Sequence, residues 1–322
     1  MTEGRNLVRA ARRVHVGADF AGQRLDNFLL RELAGVPRSR VYRLLRRGEV
    51  RVNGKRKQAD YRLEAQDEVR LPPLRDAPAR DGPAGRVPDA LIATVRRAIV
   101  HEDARLLVLD KPAGLAVHGG SGLAFGAIEA LRALRPDEPL ELVHRLDRET
   151  SGCLLVARTR AALRATHALL REGAVEKHYA TLLAGRWRLG RKTIDAPVQT
   201  DAREGGERKV RVHRAGKIAV SAFTPMAQFR DLAALMDVSI RTGRTHQIRV
   251  HAAFAGHPVA GDDKYGDREF NARLRALGLK RMFLHASSVA FRWPDTGQAF
   301  RAEAPLPAEL AAVTERLRAL GS

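Results

Sequence analysis

One segment of the chain concentrates residue types that can do chemistry. Residues 142–156 read LVHRLDRETSGCLLV, so charged and turn-forming residues interrupt two apolar runs. Asp147 lies inside this polar stretch, and the neighbouring guanidinium groups of Arg145 and Arg148 favour an ionised carboxylate. A carboxylate in a loop between two buried elements is a candidate for acid, base or electrostatic catalysis. The alternative, that Asp147 only caps or bridges a turn, is not excluded by composition and spacing.

A second segment, residues 240–257, is rich in basic side chains around a glycine turn at Gly243. Its basic residues are Arg241, Arg244, His246, Arg249, His251 and His257. His246 and His251 are five residues apart, which is not the four-residue spacing of zinc ligands on a helix. We therefore predict no metal site here, and expect histidines that are satisfied by polar partners or face RNA.

Two further features have simple structural interpretations. Asp262 and Asp263 precede Lys264, Tyr265 and Gly266, which favours a turn in which a carboxylate caps backbone groups. Cys153 is the only cysteine, so it can form neither an internal disulfide nor a cysteine-based zinc site. We interpret it as a small core residue in a protein of a reducing compartment.

The overall charge indicates a polyanionic partner. The 322 residues include 57 Lys and Arg against 37 Asp and Glu, a formal charge of +20. Residues 1–75 carry 18 basic and 9 acidic side chains, which is more than twice the net charge per residue of the rest. The sequence has no apolar run long enough to span a membrane and no secretory signal, so we expect a cytoplasmic protein.

The first quarter of the chain predicts a small basic domain. Apolar residues at helical spacing from Leu25 to Leu33 predict one helix, and residues 37–47 predict another that ends at Gly48. Asn53-Gly54 predicts a hairpin turn between two alternating runs, the second ending at Leu71. Nine basic residues and one acid lie between Arg38 and Lys57. A solvated charged surface is the simplest interpretation, but this density on a helix and an adjoining hairpin favours nucleic-acid binding, with Arg43, Arg46 and Arg47 as candidates.

The domain boundaries follow from proline. Five prolines between residues 72 and 88 preclude regular structure and predict a linker. We expect a basic tail over residues 1–21, the small domain over 22–75, the linker over 76–92 and a larger domain over 93–322.

The larger domain is predicted to be α+β with mainly antiparallel strands. Helices are expected at residues 127–134 and 160–171, and strands at 106–109, 153–157, 179–183, 218–223, 235–240 and 287–291. The sequence contains no internal repeat, no GxGxxG and no phosphate-binding loop motif, so no nucleotide cofactor is expected.

These segments together resemble a known family. Residues 144–152, HRLDRETSG, are similar to the signature loop of the RluA family of RNA pseudouridine synthases. Residues 110–118 resemble the block before that loop, residues 242–251 resemble the next block, and Gly261-Asp262, Tyr265-Gly266 and Leu284-His285-Ala286 continue it. Residues 22–71 resemble the S4-type RNA-binding domain. The segments at 118–122 and 35–43 are most similar to the branch that acts on large-subunit ribosomal RNA.

The resemblance implies a reaction and a set of site residues. The reaction is the isomerisation of uridine to pseudouridine, which needs no cofactor or metal and for which a monomer suffices. Asp147 matches the catalytic aspartate, Tyr179 matches the tyrosine expected to stack on uracil and help remove the C5 proton, and Arg244 is assigned as the partner of Asp147. Arg145 matches a position that enters the RNA stack when the target base leaves it, and Ile248 is expected to contact the base.

Three other functions are alternatives to the one that the resemblance implies. The protein can be an RNA-binding assembly factor on an enzyme-like scaffold, although a protein that only binds has no need of Asp147, Tyr179 and Arg244 together. It can be a pseudouridine synthase that acts on another RNA, such as tRNA. It can also be an RNA or sugar hydrolase that uses Asp147 with another carboxylate and releases free base or cuts the chain.

Overall fold

The structure, a computed structural model, divides the chain into two compact units, Met1–Arg86 and Val87–Ser322. It describes residues 8–33, 36, 38–75, 86–120, 123–200 and 209–320. Most of the predicted linker, residues 76–85, lies outside the described residues, as does the start of the predicted tail.

The first unit contains two helices and short strands. Its described elements are β1 (Val8–Arg9), β2 (Arg12–His15), α1 (Leu25–Glu32), α2 (Arg38–Arg47), β3 (Arg51–Val52), β4 (Glu68–Leu71) and β5 (Leu74–Arg75). The apolar faces of α1 and α2 meet the sheet in one core that includes Leu25, Phe28, Leu44 and Val69. The two predicted helices are therefore confirmed. Gly48 follows α2 with a φ of 68°, the left-handed conformation that glycine adopts without strain.

Two predictions for the first unit need correction. A tail over residues 1–21 is wrong for the described part of that range, because β2 pairs with β4, β1 pairs with β5, and Val16 is buried. These pairings join residues more than fifty positions apart, and local spacing carries no signal for them. The Asn53-Gly54 turn forms, with φ of 50° and 74°, but it closes only a bridge between Val52 and Lys55. The strand that pairs with β3 is β4, after a longer connection.

The second unit is built on a mixed ten-stranded sheet. Its helices are α3 (Asp89–Arg97), α4 (Ala127–Leu134), α5 (Arg160–Glu172), α6 (Gln247–Phe254), α7 (Arg268–Ala276) and α8 (Ala308–Ala319). Its strands are β6 (Ile99–Glu102), β7 (Leu106–Lys111), β8 (Glu141–Leu142), β9 (Ser151–Ala157), β10 (Glu176–Ala184), β11 (Lys192–Asp195), β12 (Val198–Thr200), β13 (Val210–Val212), β14 (Val220–Phe229), β15 (Ala233–Ile240), β16 (Leu284–Arg292) and β17 (Ala299–Glu303). The α+β prediction is confirmed. The helix α3 begins inside the predicted linker, so the prediction of a linker to residue 92 is wrong at its end.

The sheet order places β9, β16 and β10 side by side. The order is β11-β14-β15-β10-β16-β9-β7-β6, with β17 on β16 and β8 on β9, and β12 and β13 form a separate pair. The pairing of β9 with β16 is parallel, and the other strand pairs are antiparallel. The predicted strand at residues 153–157 lies in the centre of this sheet and is fully buried, which explains its uninterrupted apolar sequence.

Helix ends in the second unit follow from local sequence. Thr159 accepts a hydrogen bond from the Ala162 N–H at the start of α5, and Gly173 ends the helix with a φ of 72°. Cys153 is buried in the core, as predicted, and burial raises the pKa of its thiol to about 12. In the described part of the chain, no helix combines the length and the apolar character that crossing a bilayer requires.

Candidate active site

Asp147 lies in the loop between β8 and β9, at the centre of the sheet. Within this loop Leu146 points into the core and is 6% exposed, while Arg145 and Arg148 are exposed. The loop turns at Asp147, whose backbone oxygen accepts a hydrogen bond from the Thr150 N–H at 3.1 Å. The alternation of buried and exposed residues leaves the Asp147 carboxylate partly accessible, with 24% of its side chain exposed.

Lys111 holds the backbone of the loop between β8 and β9 through hydrogen bonds. Its ammonium group is fully buried and donates hydrogen bonds to the carbonyl oxygens of Pro112, Leu115 and Arg148 at 2.8–3.0 Å. Gly114 exchanges two further hydrogen bonds with Arg148, one through its N–H and one through its oxygen. The segment at residues 110–118 is therefore attached to the backbone one residue after Asp147.

His144 attaches the other side of the loop to β9. Its Nε2 accepts a hydrogen bond from the Leu155 N–H at 3.1 Å. Burial, and secondarily the charge of Lys177, lowers the pKa of His144 to about 4, so the ring stays neutral and able to accept this bond.

The register of three strands brings Tyr179 next to this loop. Gly152 pairs with Ala286 of β16, and Ala286 pairs with Tyr179 of β10, where a β-bulge separates His178 from Tyr179. A side chain at residue 152 would lie 2.2 Å from the Ala286 oxygen, so only glycine permits this approach of β9 to β16. Tyr179 is 8% exposed, and burial, followed by the negative charge of Asp147, raises the pKa of its hydroxyl. The strand register and this charge effect place Tyr179 near Asp147, and the phenol is protonated.

A buried guanidinium contacts Asp147, and it belongs to Arg249. The Arg249 Nη1 lies 3.3 Å from Asp147 Oδ2, and only 11% of the Arg249 side chain is exposed. The other edge of the same guanidinium makes two hydrogen bonds with Asp262, at 2.7 and 2.8 Å. Asp262 is fully buried and also accepts the N–H groups of Lys264 and Tyr265. Arg249 is therefore fixed in a bidentate pair with Asp262 while its free edge faces Asp147.

The electrostatics of this arrangement favour the ionised forms of Asp262 and Arg249. Burial alone would raise the pKa of Asp262, but the hydrogen bonds and charge of Arg249, together with two backbone N–H groups, hold it below its ordinary value. Burial works against the charge of Arg249 too, yet its two carboxylate partners raise its pKa above the ordinary value. The guanidinium of Arg249 is therefore a fixed positive charge beside the partly exposed Asp147.

The prediction that Arg244 pairs with Asp147 is wrong. The Arg244 side chain is exposed, and its Nε donates to the backbone oxygen of Ile218 at 3.1 Å. The reason is the turn before α6: Gln247 accepts the Arg244 N–H and the Thr242 hydroxyl, so Arg244 lies before the helix and points to solvent. Arg249 is in the first turn of α6, on the face that Asp262 and Asp147 approach.

The other predicted site residues have different settings. Arg145 is exposed beside Asp147, where a nucleic acid can reach it. Ile248 is 4% exposed and packs in the main core. His251 is buried with both ring nitrogens satisfied, by the Ser221 hydroxyl and the Ala196 oxygen. Among the described residues no group of three or more His, Cys, Asp and Glu side chains is placed to hold a metal ion.

Sequence reasoning missed four residues of the site: Arg249, Asp262, His246 and Tyr265. Arg249 and His246 belong to the basic segment, but their positions within it do not place either residue relative to Asp147. For Asp262 the capping turn was predicted and is confirmed, while its pairing with Arg249 had no signal in the sequence.

Comparison with known proteins identifies the family of the chain. Residues 105–254 match the family described as RNA pseudouridylate synthase, and residues 23–69 match the S4 domain. The chain is 51% identical over 308 residues to the ribosomal large subunit pseudouridine synthase C of Salmonella typhi, covering 95% of this chain and 96% of that protein. The protein of the same name from Pasteurella multocida is 49% identical over 310 residues, covering 96% and 94%.

The chain belongs to the RNA pseudouridylate synthase family. A solved structure, human RNA pseudouridylate synthase domain containing 4, is 27% identical with a TM-score of 0.59, covering 71% of this chain and 96% of that one. The second unit is thus a pseudouridine synthase domain, and the site around Asp147 lies within its matched residues.

The S4 domain of this pseudouridine synthase presents a basic helix to solvent. In α2, Val41, Leu44 and Leu45 are buried, whereas Arg43, Arg46 and Arg47 are exposed. Arg56 donates to the Arg46 oxygen at the end of α2, and Arg47 lies 3.9 Å from Glu49. Three exposed guanidinium groups at the surface of one helix form a positive patch that can contact phosphates.

Proposed function

We propose that this protein isomerises uridines of large-subunit ribosomal RNA to pseudouridine, with Asp147 as the catalytic carboxylate. The relatives that match over nearly the whole chain are named for the ribosomal large subunit, and this supports the substrate. The observation that carries the catalytic assignment is the partly exposed Asp147 carboxylate, oriented by Arg249 at 3.3 Å beside the buried Tyr179.

The reaction requires a carboxylate at the sugar. The bond between C1′ and N1 breaks, the uracil turns, a bond between C1′ and C5 forms, the C5 proton leaves and N1 gains a proton. Breaking the glycosidic bond develops positive charge on the ribose, which an ionised carboxylate stabilises or captures. Asp147 serves in either of two ways, by attack on C1′ or by removal of the C2′ proton.

Tyr179 and Arg249 act on either side of this carboxylate. The protonated Tyr179 ring is placed to stack on the uracil, and its hydroxyl makes no hydrogen bond to another described residue, which leaves it available to the base. Arg249 orients Asp147 and balances its charge, the task that the sequence had suggested for Arg244. Arg244, exposed and bonded to Ile218, is instead a candidate contact to RNA.

RNA binding is divided between the two units in this proposal. Arg43, Arg46 and Arg47 of the S4 domain contact phosphates, which gives affinity with little sequence information. Arg145 fills the stack when the target uridine leaves it, a step that costs a few kcal/mol and is offset by phosphate contacts and stacking in the pocket. Ile248 supports the pocket from the core side. We expect the protein to act as a monomer without a nucleotide cofactor.

Two other functions would give different results with RNA labelled at uracil C5. A binding factor releases no tritium from RNA labelled at uracil C5, and a hydrolase releases free uracil or shortens the RNA. The proposal is tested by incubating C5-tritiated transcripts of large-subunit RNA, small-subunit RNA and tRNA with the protein. We expect tritium release from the large-subunit transcript and pseudouridine in its digest. Release only from tRNA would overturn the substrate, and free uracil would overturn the reaction.

A further inference from the structure

His246 lies in the left-handed region of backbone conformation, which is uncommon for residues other than glycine. It precedes α6 with φ of 54° and ψ of 20°, a region in which histidine, asparagine and aspartate are found more often than the other residues that carry a side chain. Such strain persists only where the surroundings enforce it, and it is concentrated at functional sites. The conformation directs the imidazole toward Asp147, with Nε2 at 3.9 Å from Oδ2 and 18% of the side chain exposed.

The hydrogen-bond network defines which ring nitrogen carries the hydrogen. The Tyr265 hydroxyl oxygen accepts the Val210 N–H at 3.0 Å and lies 2.9 Å from His246 Nδ1. Among the described residues, His246 Nδ1 is the acceptor that the structure offers to the hydroxyl hydrogen of Tyr265. When Tyr265 donates to Nδ1, the neutral ring carries its hydrogen on Nε2, the atom that faces Asp147.

The ring is also held in place and kept neutral. The imidazole and the Tyr265 ring meet edge to face with centroids 5.5 Å apart, and the Arg249 guanidinium lies 5.0 Å from the Tyr265 ring. Burial, partly offset by the charge of Asp147, lowers the pKa of His246. A neutral imidazole next to Arg249 avoids placing a second positive charge beside the first.

We propose that His246 is a positioning residue whose Nε2–H orients the Asp147 carboxylate for reaction, and that Tyr265 sets the tautomer that makes this possible. Arg249 and His246 then approach Asp147 Oδ2 together, which leaves the second oxygen for the sugar carbon. The 3.9 Å separation shortens to a hydrogen bond when RNA closes the site, as catalytic hydrogen bonds commonly do. The inference rests on the proposed role of Asp147.

Two variants of His246 separate positioning from backbone strain. Asparagine tolerates the left-handed conformation but has no group at the place of Nε2, whereas the longer glutamine side chain can put an amide N–H there. We expect His246→Asn to lower the single-turnover rate of tritium release about tenfold, the value of one hydrogen bond to a charged group. RNA affinity and Tm should stay near those of the unmodified protein, and His246→Gln should recover most of the rate.

The opposite order would overturn the proposal. If His246 served only to shape the turn, His246→Asn would keep its rate and His246→Gln would lose it. Asp147→Asn in the same assay distinguishes a failure of the proposed role of His246 from a failure of the proposed function. An inactive Asp147→Asn with a fully active His246→Asn rejects this role of His246 alone, whereas an active Asp147→Asn rejects the proposed function on which it rests.

The tautomer has its own measurement. Nitrogen-15 NMR of the imidazole in the full-length protein should show the hydrogen on Nε2, and Tyr265→Phe should shift the population toward the Nδ1–H form. Because that form presents a lone pair to Asp147, Tyr265→Phe should also slow tritium release. An Nδ1–H tautomer in the unmodified protein would contradict the proposal.

Discussion

Arginines of the two units differ in their surroundings, and in the proposed function this difference separates RNA affinity from catalysis. Arg43, Arg46 and Arg47 are exposed on α2. Their electrostatic attraction to a partner is therefore screened by water and salt. Arg249 is almost entirely buried between two carboxylates. A surface guanidinium contributes attraction that many RNAs share, whereas a buried one fixes the position of a single carboxylate. The comparison predicts that substitutions in the two places change different quantities.

The same contrast exists within one segment. Arg244 and Arg249 are five residues apart in the sequence, yet Arg244 is exposed and Arg249 contacts Asp147. The two residues are of the same type and lie in the same basic segment. The turn before α6 determines which of them is buried. This pair therefore provides a matched test of burial with residue type held constant.

Among the arginine substitutions, Arg249→Met should have the largest effect on the rate of tritium release. We expect a loss of about 10²-fold in the single-turnover rate, because the carboxylate loses its oriented partner. Leaving Asp262 buried without its cation should also lower the free energy of unfolding by about 3 kcal/mol. Urea denaturation and tritium release measure the two quantities.

Arg244→Met is the control for that prediction. Its rate at saturating RNA should stay within about threefold of the unmodified protein, because exposed side chains contribute little to a fixed geometry. Equal losses in the two variants would contradict the assignment of Arg249 as the partner of Asp147.

Asp262→Asn should have an intermediate effect that depends on pH. The folded pKa of Asp262 is lowered, so the unfolded state binds more protons in acid, and stability from this group is lost as pH falls through the folded pKa. We expect Asp262→Asn to be about 2 kcal/mol less stable at neutral pH, since it weakens two hydrogen bonds to a charged group. The deficit should shrink below pH 4. Thermal melts from pH 3 to 7 test this, and a deficit that is the same at every pH would show that the ionised carboxylate is not the stabilising form.

Neutralising Arg43, Arg46 and Arg47 together should have the smallest effect on chemistry. We expect weaker RNA binding and a log–log salt slope smaller by about 0.7 to 0.9 for each lost phosphate contact, with no change in rate at saturating RNA. Titrations at several salt concentrations measure the slope. Arg186, Arg292 and Arg301, which are exposed in the second unit, provide a control with the same loss of charge. If the control flattens the slope equally, total charge and not the α2 surface determines affinity.

The fold was predictable where local sequence determines it. The helix α4 begins and ends at the predicted residues, because its apolar periodicity starts directly after Gly126. The strands β1 and β2 were not predictable, since their partners β5 and β4 lie more than fifty residues away. A basic stretch at the N-terminus has the same composition whether or not it pairs with a distant strand.

The sequence and its family resemblance predict which residue types the site contains, but they do not predict how the residues are arranged. Asp147 and Tyr179 were identified from the sequence, and the strand register that joins them through Gly152 and Ala286 is visible only in the folded chain. The choice between Arg244 and Arg249 depends on where α6 begins. That start depends in turn on the hydrogen bonds of Gln247 to Thr242 and Val220.

The catalytic role of Asp147 is tested most directly by measuring RNA affinity and tritium release on one variant. Asp147→Asn should bind large-subunit ribosomal RNA with the affinity of the unmodified protein, because we assign the affinity to exposed arginines. It should release tritium from uracil C5 about 10³-fold more slowly or not at all, because the carboxylate at the sugar is lost. Tritium release at the unmodified rate would contradict the assignment of Asp147, oriented by Arg249, as the catalytic carboxylate.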